Sequence, residues 1–204
     1  NPRTGLVMSF EGDKDIANWA FTYDQALLIQ VYTQFSDFAR AKKILDFFAN
    51  DAKRENDWFF NAYYVTDGSP AEFVMRAGPN IWVGLAIMQY TQKTRDKEYL
   101  DLAENIARVI INLQNKDKDA GIRGGPAAQW YSTEHNLDAY AFFNMLSNVT
   151  GKQIYRLAAE KTINWLTLHT YDRQDLPVKR GKGDSTIATD TYAWSIAAIG
   201  PQKL

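Results

Sequence analysis

The sequence predicts an all-α protein made of repeated helical hairpins that form part or all of an α/α toroid. Apolar residues recur at helical spacing along most of the 204 residues, and the helical segments come in pairs. The first members of these pairs are expected to begin at Asp24, Asn80, Glu134 and Asp190, at intervals of 56, 54 and 56 residues. Such a recurrence is typical of stacked supersecondary units, so the repeating unit is a hairpin followed by a long connection.

The first two hairpins are recognised by the residues that begin their helices. Ser36 and Asp37, whose side chains cap helices well, separate DQALLIQVYTQF from FARAKKILDFFAN. Pro79 stands in the first turn of IWVGLAIMQYTQKT, where its missing N–H costs no hydrogen bond. Asp96 then caps KEYLDLAENIARVIINLQ, which completes the second hairpin.

A third hairpin and the start of a fourth follow. Ser132 or Thr133 opens LDAYAFFNMLSNV, Gly151 ends it, and KQIYRLAAEKTINWLTLH completes the hairpin. The fourth begins with TYAWSIAAIG and reaches Leu204 without its partner helix. Helices are therefore expected near residues 24–35, 38–50, 80–93, 97–114, 134–149, 152–169 and 190–199.

The two helices of a hairpin differ in character. The first is apolar on nearly all sides, as in LLIQVY, IWVGLAIM and AYAFFNML, whereas the second carries a charged stripe such as ARAKK. The first helices are therefore expected inside and the second outside, as in an open α-solenoid or a closed α/α toroid. The expected core residues are Leu27, Leu28, Trp82, Leu85, Ala139, Phe142 and Ala193.

Three long connections favour the toroid and indicate where its site lies. Residues 51–78, 115–133 and 170–189 exceed the roughly 12–15 residues of an ordinary loop, and all would emerge where the inner helices begin. Their chemically distinctive residues are Trp58, Phe59, Tyr63, Tyr64, Arg76, Arg123, Gly124, Gly125, Trp130, Tyr131, Lys179, Arg180, Gly181 and Asp184. We expect a single domain over residues 1–204, with the functional site on this face.

Composition limits the partners and the compartment. A net charge of −1 removes the bulk electrostatic case for nucleic acid or an anionic membrane, and no apolar run approaches the roughly 20 residues of a membrane-spanning helix. With no cysteine, and with His135 and His169 far apart, neither a metal site nor a cofactor is expected. The compartment stays open, with a periplasmic or extracellular location slightly favoured over the cytoplasm. Because the chain begins at Asn1 rather than Met, its true start is expected upstream.

Four phrases at the inner-helix starts carry a family resemblance. FTYDQAL, GPNIW, GGPAAQWYSTEHNLDAY and ATDTYAW resemble the six-hairpin glycosidase superfamily of bacterial α/α toroids. The resemblance implies a carbohydrate-active enzyme that acts on a poly- or oligosaccharide. Such toroids have six hairpins and this chain supplies about three and a half, so it is expected to be incomplete.

The candidate catalytic groups are acids near the inner-helix starts. Glu134 is the first candidate, because Ser132 to Asn136 places five hydrogen-bonding side chains at one helix start. Asp24 and Asp190 occupy similar places in other repeats, and Asp138 follows Glu134 by one turn on the same face. Each acid also has a structural explanation, since acids complement the helix dipole and Asp is a common N-cap.

The candidate substrate contacts are mainly aromatic or hydrogen-bonding residues. Indole and phenol rings stack on the apolar faces of sugar rings, while polar groups fix the orientation of the ligand. The predicted contacts are Tyr23, Trp82, Arg123, Trp130, Tyr131, His135 and Asn136.

The leading hypothesis is an inverting glycoside hydrolase, with Glu134 as the acid and Asp24 or Asp190 as the base. Inversion requires two carboxyl groups about 6.5–9.5 Å apart, with room for a water molecule between them and the sugar.

Two alternatives stay open. A polysaccharide lyase on the same toroid would use Tyr131 or His135 as the base, with Asn136 and Arg123 neutralising a uronate. A non-catalytic module that binds glycan or protein would present no carboxyl pair at catalytic separation.

Overall fold

A computed structural model describes residues 1–171 and 178–200 of the chain. Within this part there are seven α-helices: α1 (Thr22–Gln34), α2 (Phe38–Asp46), α3 (Ala77–Thr94), α4 (Leu100–Asn115), α5 (Thr133–Thr150), α6 (Gln153–His169) and α7 (Thr189–Ile199). Every predicted helix is present, with its ends within four residues of the prediction. No helix of the described part is both long enough and apolar enough to cross a membrane.

Short antiparallel strands occupy the segments between the helices. They are β1 (Trp19–Phe21), β2 (Arg54–Glu55), β3 (Trp58–Phe59), β4 (Ala62–Tyr64), β5 (Pro70–Glu72), β6 (Lys179–Gly181) and β7 (Asp184–Ile187). In the described part of the chain the largest sheet has three strands, in the order β1-β4-β5, while β2-β3 and β6-β7 are separate hairpins.

The chain folds into two compact units, Asn1–Ile106 and Ala107–Leu204. In the first unit α1 packs against α2 and α3, and in the second unit α5 packs against α6 and α7. The third hairpin therefore consists of α5 and α6, as the sequence predicts. The single domain expected from the sequence stays a prediction.

The connection over residues 51–78 is more ordered and more buried than a site loop. Trp58, Phe59 and Tyr63 are buried, and the Phe59 ring lies 5.1 Å from the Phe48 ring, centroid to centroid. The Tyr63 hydroxyl donates to the Lys53 carbonyl oxygen at 2.7 Å. The expectation that these three aromatic residues line the site was wrong, because β3 and β4 bury them in the core of the first unit.

The predicted core is only partly buried. Leu85, Ala139 and Phe142 are buried as expected. Leu27, Leu28 and Trp82 are half-buried, so their placement in the core was wrong. An inner helix that is apolar on nearly all sides has no single face that periodicity can identify, and the packing partners decide which residues are covered.

Ala193 is exposed on α7, which also contradicts the prediction. The buried residues of this helix are Thr191, Ser195 and Ile199, which follow one another at four-residue spacing. Hydroxyl groups are tolerated on the buried face because they bond to the helix backbone. Ser195 Oγ donates to the Thr191 carbonyl oxygen at 2.7 Å.

A buried amide side chain at the fourth residue of an inner helix ties that helix to the preceding segment. In α3 this residue is Asn80, whose Oδ1 accepts from the Phe59 N–H at 2.9 Å and whose Nδ2 donates to the Phe59 carbonyl at 3.1 Å. The same Nδ2 donates to the carbonyl of Arg76, the N-cap of α3, at 2.9 Å. We call this arrangement the amide clamp.

The clamp recurs in the other two inner helices of this type. In α5, Asn136 accepts from the Ile122 N–H at 3.0 Å and donates to the carbonyls of Ile122 at 3.0 Å and of the N-cap Ser132 at 2.8 Å. In α1, Gln25 accepts from the Val7 N–H at 3.0 Å and donates to its carbonyl at 2.8 Å. The clamp therefore follows the sequence repeat.

Replacing Asn136 by alanine tests the clamp. We expect Asn136→Ala to lower the free energy of unfolding by about 2–4 kcal/mol, because the N–H and C=O of buried Ile122 lose their partner. Asn148→Ala is the matched control on the exposed face of α5 and should change stability by less than about 0.5 kcal/mol. Urea denaturation measures both, and equal effects would contradict the clamp.

Candidate active site

Glu134, the first candidate acid, lies in the first turn of α5 but does not cap the helix. Ser132 is the N-cap, and its Oγ accepts from the His135 N–H at 3.3 Å. Thr133 Oγ1 donates to the Lys179 carbonyl of β6, so the hairpin β6-β7 is attached to the helix start. Glu134 is the second residue of the helix and has no capping contact.

The environment of Glu134 favours the protonated form of its carboxyl. The side chain is half-buried, and burial raises the pKa of its carboxyl above the ordinary range. The negative charge of Asp190 raises the pKa further, while the Arg180 guanidinium opposes both effects. Burial and Asp190 together therefore outweigh the effect of the Arg180 charge.

Asp190 is the partner that the structure places near Glu134. It is the exposed second residue of α7, and its Oδ1 accepts from the Thr191 N–H at 2.9 Å. The N-cap of α7 is Ala188, so the N-cap alternative for Asp190 was wrong. The two acids therefore interact electrostatically while one is half-buried and the other is exposed.

A hydrogen bond one turn deeper joins the two helices that carry these acids. Asp138 is 2% exposed and accepts from the Trp194 Nε1–H at 2.8 Å. Asp138 follows Glu134 by four residues on α5, and Trp194 follows Asp190 by four residues on α7. Because residues four apart lie on one helical face, this bond sets the rotation of α7 that brings Asp190 towards Glu134.

Trp130 is the most exposed aromatic residue predicted to contact substrate. Its side chain is 47% exposed, and its ring lies 5.5 Å from the His135 ring, centroid to centroid. The indole lies over Gly124, where a Cβ atom would come within 2.2 Å of it. The absence of a side chain at Gly124 therefore makes room for the Trp130 ring.

Tyr131 is occupied by protein contacts. Its hydroxyl donates to Asp117, its ring lies 5.5 Å from the buried Trp165 ring, and the Lys182 ammonium lies 5.4 Å from its centroid. Burial, followed by the hydrogen bond to Asp117, raises the pKa of Tyr131 to about 12. These contacts favour a role in holding the loop over a role as a base or a stacking platform.

Two further predicted contacts also have partners within the protein. Asn136 is fully buried and its amide is used by the clamp, which favours structure over substrate binding. Arg123 is half-buried and donates from Nη1 to Gln129 Oε1 at 3.4 Å. Its Nε is buried with no hydrogen-bond partner in the described residues. The main chain of Arg123 pairs with that of Tyr131, which closes the loop beneath Trp130.

The remaining predicted site residues belong to the first unit. The Tyr23 and Trp82 rings meet edge to face at 5.1 Å. Asp24 is the third residue of α1 and is half-buried, and the N-cap of α1 is Phe21, so the N-cap alternative for Asp24 was wrong as well. Tyr23, Asp24 and Trp82 thus form one group, and the other candidates form a second group around the start of α5.

Sequence reasoning missed the charged residues that hold the loops of the second unit. Asp119 accepts from Lys182 Nζ at 2.5 Å, and His169 Nε2 lies 3.3 Å from the same carboxylate oxygen. Burial and the Lys182 charge lower the pKa of His169. The acids Asp117 and Asp119 are visible in the sequence, but a sequence pattern does not identify ion-pair partners that lie 50 or more residues away. The described residues contain no group of three side chains arranged to hold a metal ion.

The solved structures similar to this chain are carbohydrate enzymes. A D-mannose isomerase aligns with 88% of this chain and 54% of its own, with a TM-score of 0.73 and 14% identity. An unsaturated glucuronyl hydrolase from Bacillus sp. GL1 aligns with 97% of this chain and 64% of its own, with a TM-score of 0.69 and 15% identity. A family 8 endoglucanase from Klebsiella pneumoniae aligns with 88% and 60%, with a TM-score of 0.64 and 12% identity.

These likenesses confirm the fold class. The similar structures are α/α toroids of the six-hairpin glycosidase type, so the chain has the repeated helical-hairpin fold predicted for it. The chain spans between 54% and 64% of the length of these three proteins. No protein-family model and no curated protein matches the sequence.

The interaction between the two acids is testable by titration. Asp190→Asn removes one of the two effects that raise the pKa of Glu134, so the Glu134 carboxyl should titrate at lower pH than in the parent protein. Arg180→Gln should shift it in the opposite direction. Carboxyl-detected NMR measures both shifts, and Glu160→Gln, on the exposed face of α6, is the control. An unchanged Glu134 titration in Asp190→Asn would show that the acids do not interact.

Proposed function

We propose that the chain carries the catalytic carboxyl groups of an inverting glycoside hydrolase that acts on a poly- or oligosaccharide. The observation that carries the proposal is the half-buried Glu134, whose pKa is raised by burial and by Asp190. Glycoside hydrolysis needs one carboxyl that keeps its proton and a second that activates water. A pair of acids in unequal environments meets that need.

In this proposal Glu134 protonates the oxygen of the leaving sugar. Its raised pKa keeps a larger fraction of the acid protonated near neutral pH than an ordinary glutamate would keep. Asp190 acts as the base, because its exposure lets it contact a water molecule. Asp138 acts as a positioning residue through its bond to Trp194.

The aromatic residues near Glu134 favour a sugar as substrate. Trp130 presents an exposed indole beside His135, which suits stacking against one face of a sugar ring. The similar structures, a glucuronyl hydrolase and an endoglucanase among them, support a carbohydrate substrate.

A hydrolase is favoured over a lyase. A lyase base must accept a proton from carbon, and Tyr131 has a pKa of about 12 and donates its proton to Asp117. The half-buried carboxyl of Glu134 has no comparable role in that reaction. Hydrolysis therefore uses more of the groups around the start of α5 than elimination does.

The role of Glu134 is tested by removing its proton while keeping its shape. On a glycan that the parent protein cleaves, Glu134→Gln should lower kcat by about 10²–10⁴-fold with little loss of thermal stability. Glu160→Gln, which breaks only an exposed ion pair with Arg156, should keep full activity.

Full activity in Glu134→Gln would remove this residue from the mechanism. The activities of Asp190→Asn and Asp24→Asn would then show which of the two candidate bases predicted from the sequence the reaction requires. Loss of activity in Asp24→Asn alone would transfer the role of base to Asp24.

Trp130→Ala tests the stacking contact separately from the chemistry. Loss of the exposed ring should raise KM about three- to tenfold and leave kcat within about twofold, because stacking stabilises the ground state and the transition state alike. Phe35→Ala, which removes a ring that is 81% exposed at the end of α1, is the control. A fall in kcat with KM unchanged would place Trp130 in the chemical step instead.

A further inference from the structure

Four aromatic rings of the first unit contact one another and form a continuous surface. The Trp19 ring lies 5.8 Å from the Phe21 ring and 6.3 Å from the Tyr64 ring, and the Phe10 ring lies 5.8 Å from the Phe21 ring. Phe10 is 49% exposed and Tyr64 is 37% exposed, while Trp19 and Phe21 are half-buried. We call these four residues the aromatic platform.

The pairing of the strands builds the platform. Trp19 and Phe21 point to the same face of β1 because side chains alternate along a strand, and Tyr64 lies directly opposite Trp19 on β4. The fourth ring, that of Phe10, is positioned by the neighbouring Ser9. Its N–H donates to the Trp19 carbonyl and its Oγ accepts from the Phe21 N–H, both at 2.9 Å, which holds the adjacent Phe10 against Phe21.

The opposite face of the same sheet shows that exposure of these rings is not required by the fold. Ala20 and Tyr63, whose side chains point the other way, are fully buried. The face of β1 and β4 that carries Ala20 and Tyr63 therefore packs on the core of the unit, and the rings lie on the other face. A surface of four contacting rings is unusual unless it meets a ligand or partner.

We propose that the aromatic platform binds the sugar rings of a neutral glycan. All four members are aromatic, which suits the flat apolar faces of pyranose rings. The indole N–H of Trp19 and the hydroxyl of Tyr64 make no hydrogen bond within the described residues, so both are available to sugar hydroxyls. The combination of a ring surface with polar donors at its edge is what a sugar requires.

The charges beside the platform indicate that the glycan is neutral. Glu11, Asp13 and Asp15 are exposed in the segment between Phe10 and Trp19, against the single cation Lys14. Carboxylates accept hydrogen bonds from sugar hydroxyls, but they repel uronates, sulfates and phosphates. The segment therefore disfavours an acidic polysaccharide and a nucleic acid.

The platform is continuous in sequence with predicted site residues. Phe21 immediately precedes α1, and Tyr23, two residues later, contacts Trp82. A glycan held on the platform would thus lie at the N-terminal end of α1, close in sequence to the predicted contact Tyr23. The inference goes beyond the proposed hydrolysis, because binding here uses none of the acids of the second unit.

Affinity electrophoresis tests the inference. Protein carrying Glu134→Gln, which prevents digestion of the gel, is run through native gels that contain hydroxyethylcellulose, mannan, xylan or the acidic polygalacturonate. We expect retardation by at least one neutral glycan and not by polygalacturonate. Adding Trp19→Ala or Tyr64→Ala should raise the dissociation constant at least about tenfold, whereas adding Phe35→Ala should leave it unchanged.

Four results would overturn the inference. They are no retardation by any neutral glycan, equal retardation by polygalacturonate and by the neutral glycans, an equal loss in Phe35→Ala, and a molar mass of Tyr64→Ala half that of the parent protein. Phe10→Ala, which removes a half-exposed ring, replaces Trp19→Ala if circular dichroism shows that the latter is unfolded. A molar mass that halves in Tyr64→Ala by light scattering would show that a second copy of the chain covers the platform.

Binding and hydrolysis can fail independently. Retardation that Tyr64→Ala abolishes, in a protein that cleaves none of these glycans, would uphold the platform and contradict the proposed hydrolase. Cleavage that Glu134→Gln abolishes, with mobility unaffected by Tyr64→Ala, would do the reverse.

Discussion

The amide clamp is the interaction on which the arrangement of the inner-helix starts depends. A chain segment that crosses a buried helix start brings backbone N–H and C=O groups out of water, and these groups must find partners. Gln25, Asn80 and Asn136 supply both a donor and an acceptor from one side chain. Each clamp thereby determines where a connection meets its helix. In α5 it holds Ile122 and so places the neighbouring Arg123 and the loop that carries Trp130.

The fourth position of α7 is different, and this difference bears on the candidate site. Tyr192 stands there in place of an amide, and α7 is joined to α5 by the bond between Asp138 and Trp194. One turn nearer the helix starts, the same faces carry Glu134 and Asp190. The hydrogen bond between buried Asp138 and half-buried Trp194 thus lies one turn from the more exposed, ionisable Glu134 and Asp190.

The residues around the start of α5 and the aromatic platform differ in chemistry. Around α5, acids, an exposed Trp130 and loop glycines are held by ion pairs such as that of Lys182 with Asp119. In the first unit, rings held by a short sheet form a continuous surface, and the adjoining segment carries the exposed acids Glu11, Asp13 and Asp15. A catalytic centre needs defined electrostatics, whereas affinity for a neutral polymer comes mainly from stacked rings. Under the two proposals, the aromatic residues divide into core residues, the stacking residue Trp130 and the four platform residues.

The sequence by itself determined the helices, their pairing and the fold class, and it limited the cap of α5 to Ser132 or Thr133, because periodicity and capping are local properties. It also placed Glu134 at an inner-helix start. Only the tertiary structure decided that Tyr63 is core, that Ala193 is exposed and that Asn136 is a clamp. Asn136 bonds to a residue 14 positions away, and its partner is chosen by packing. Local pattern shows which residues can bond or be buried, but the fold decides which neighbours they meet.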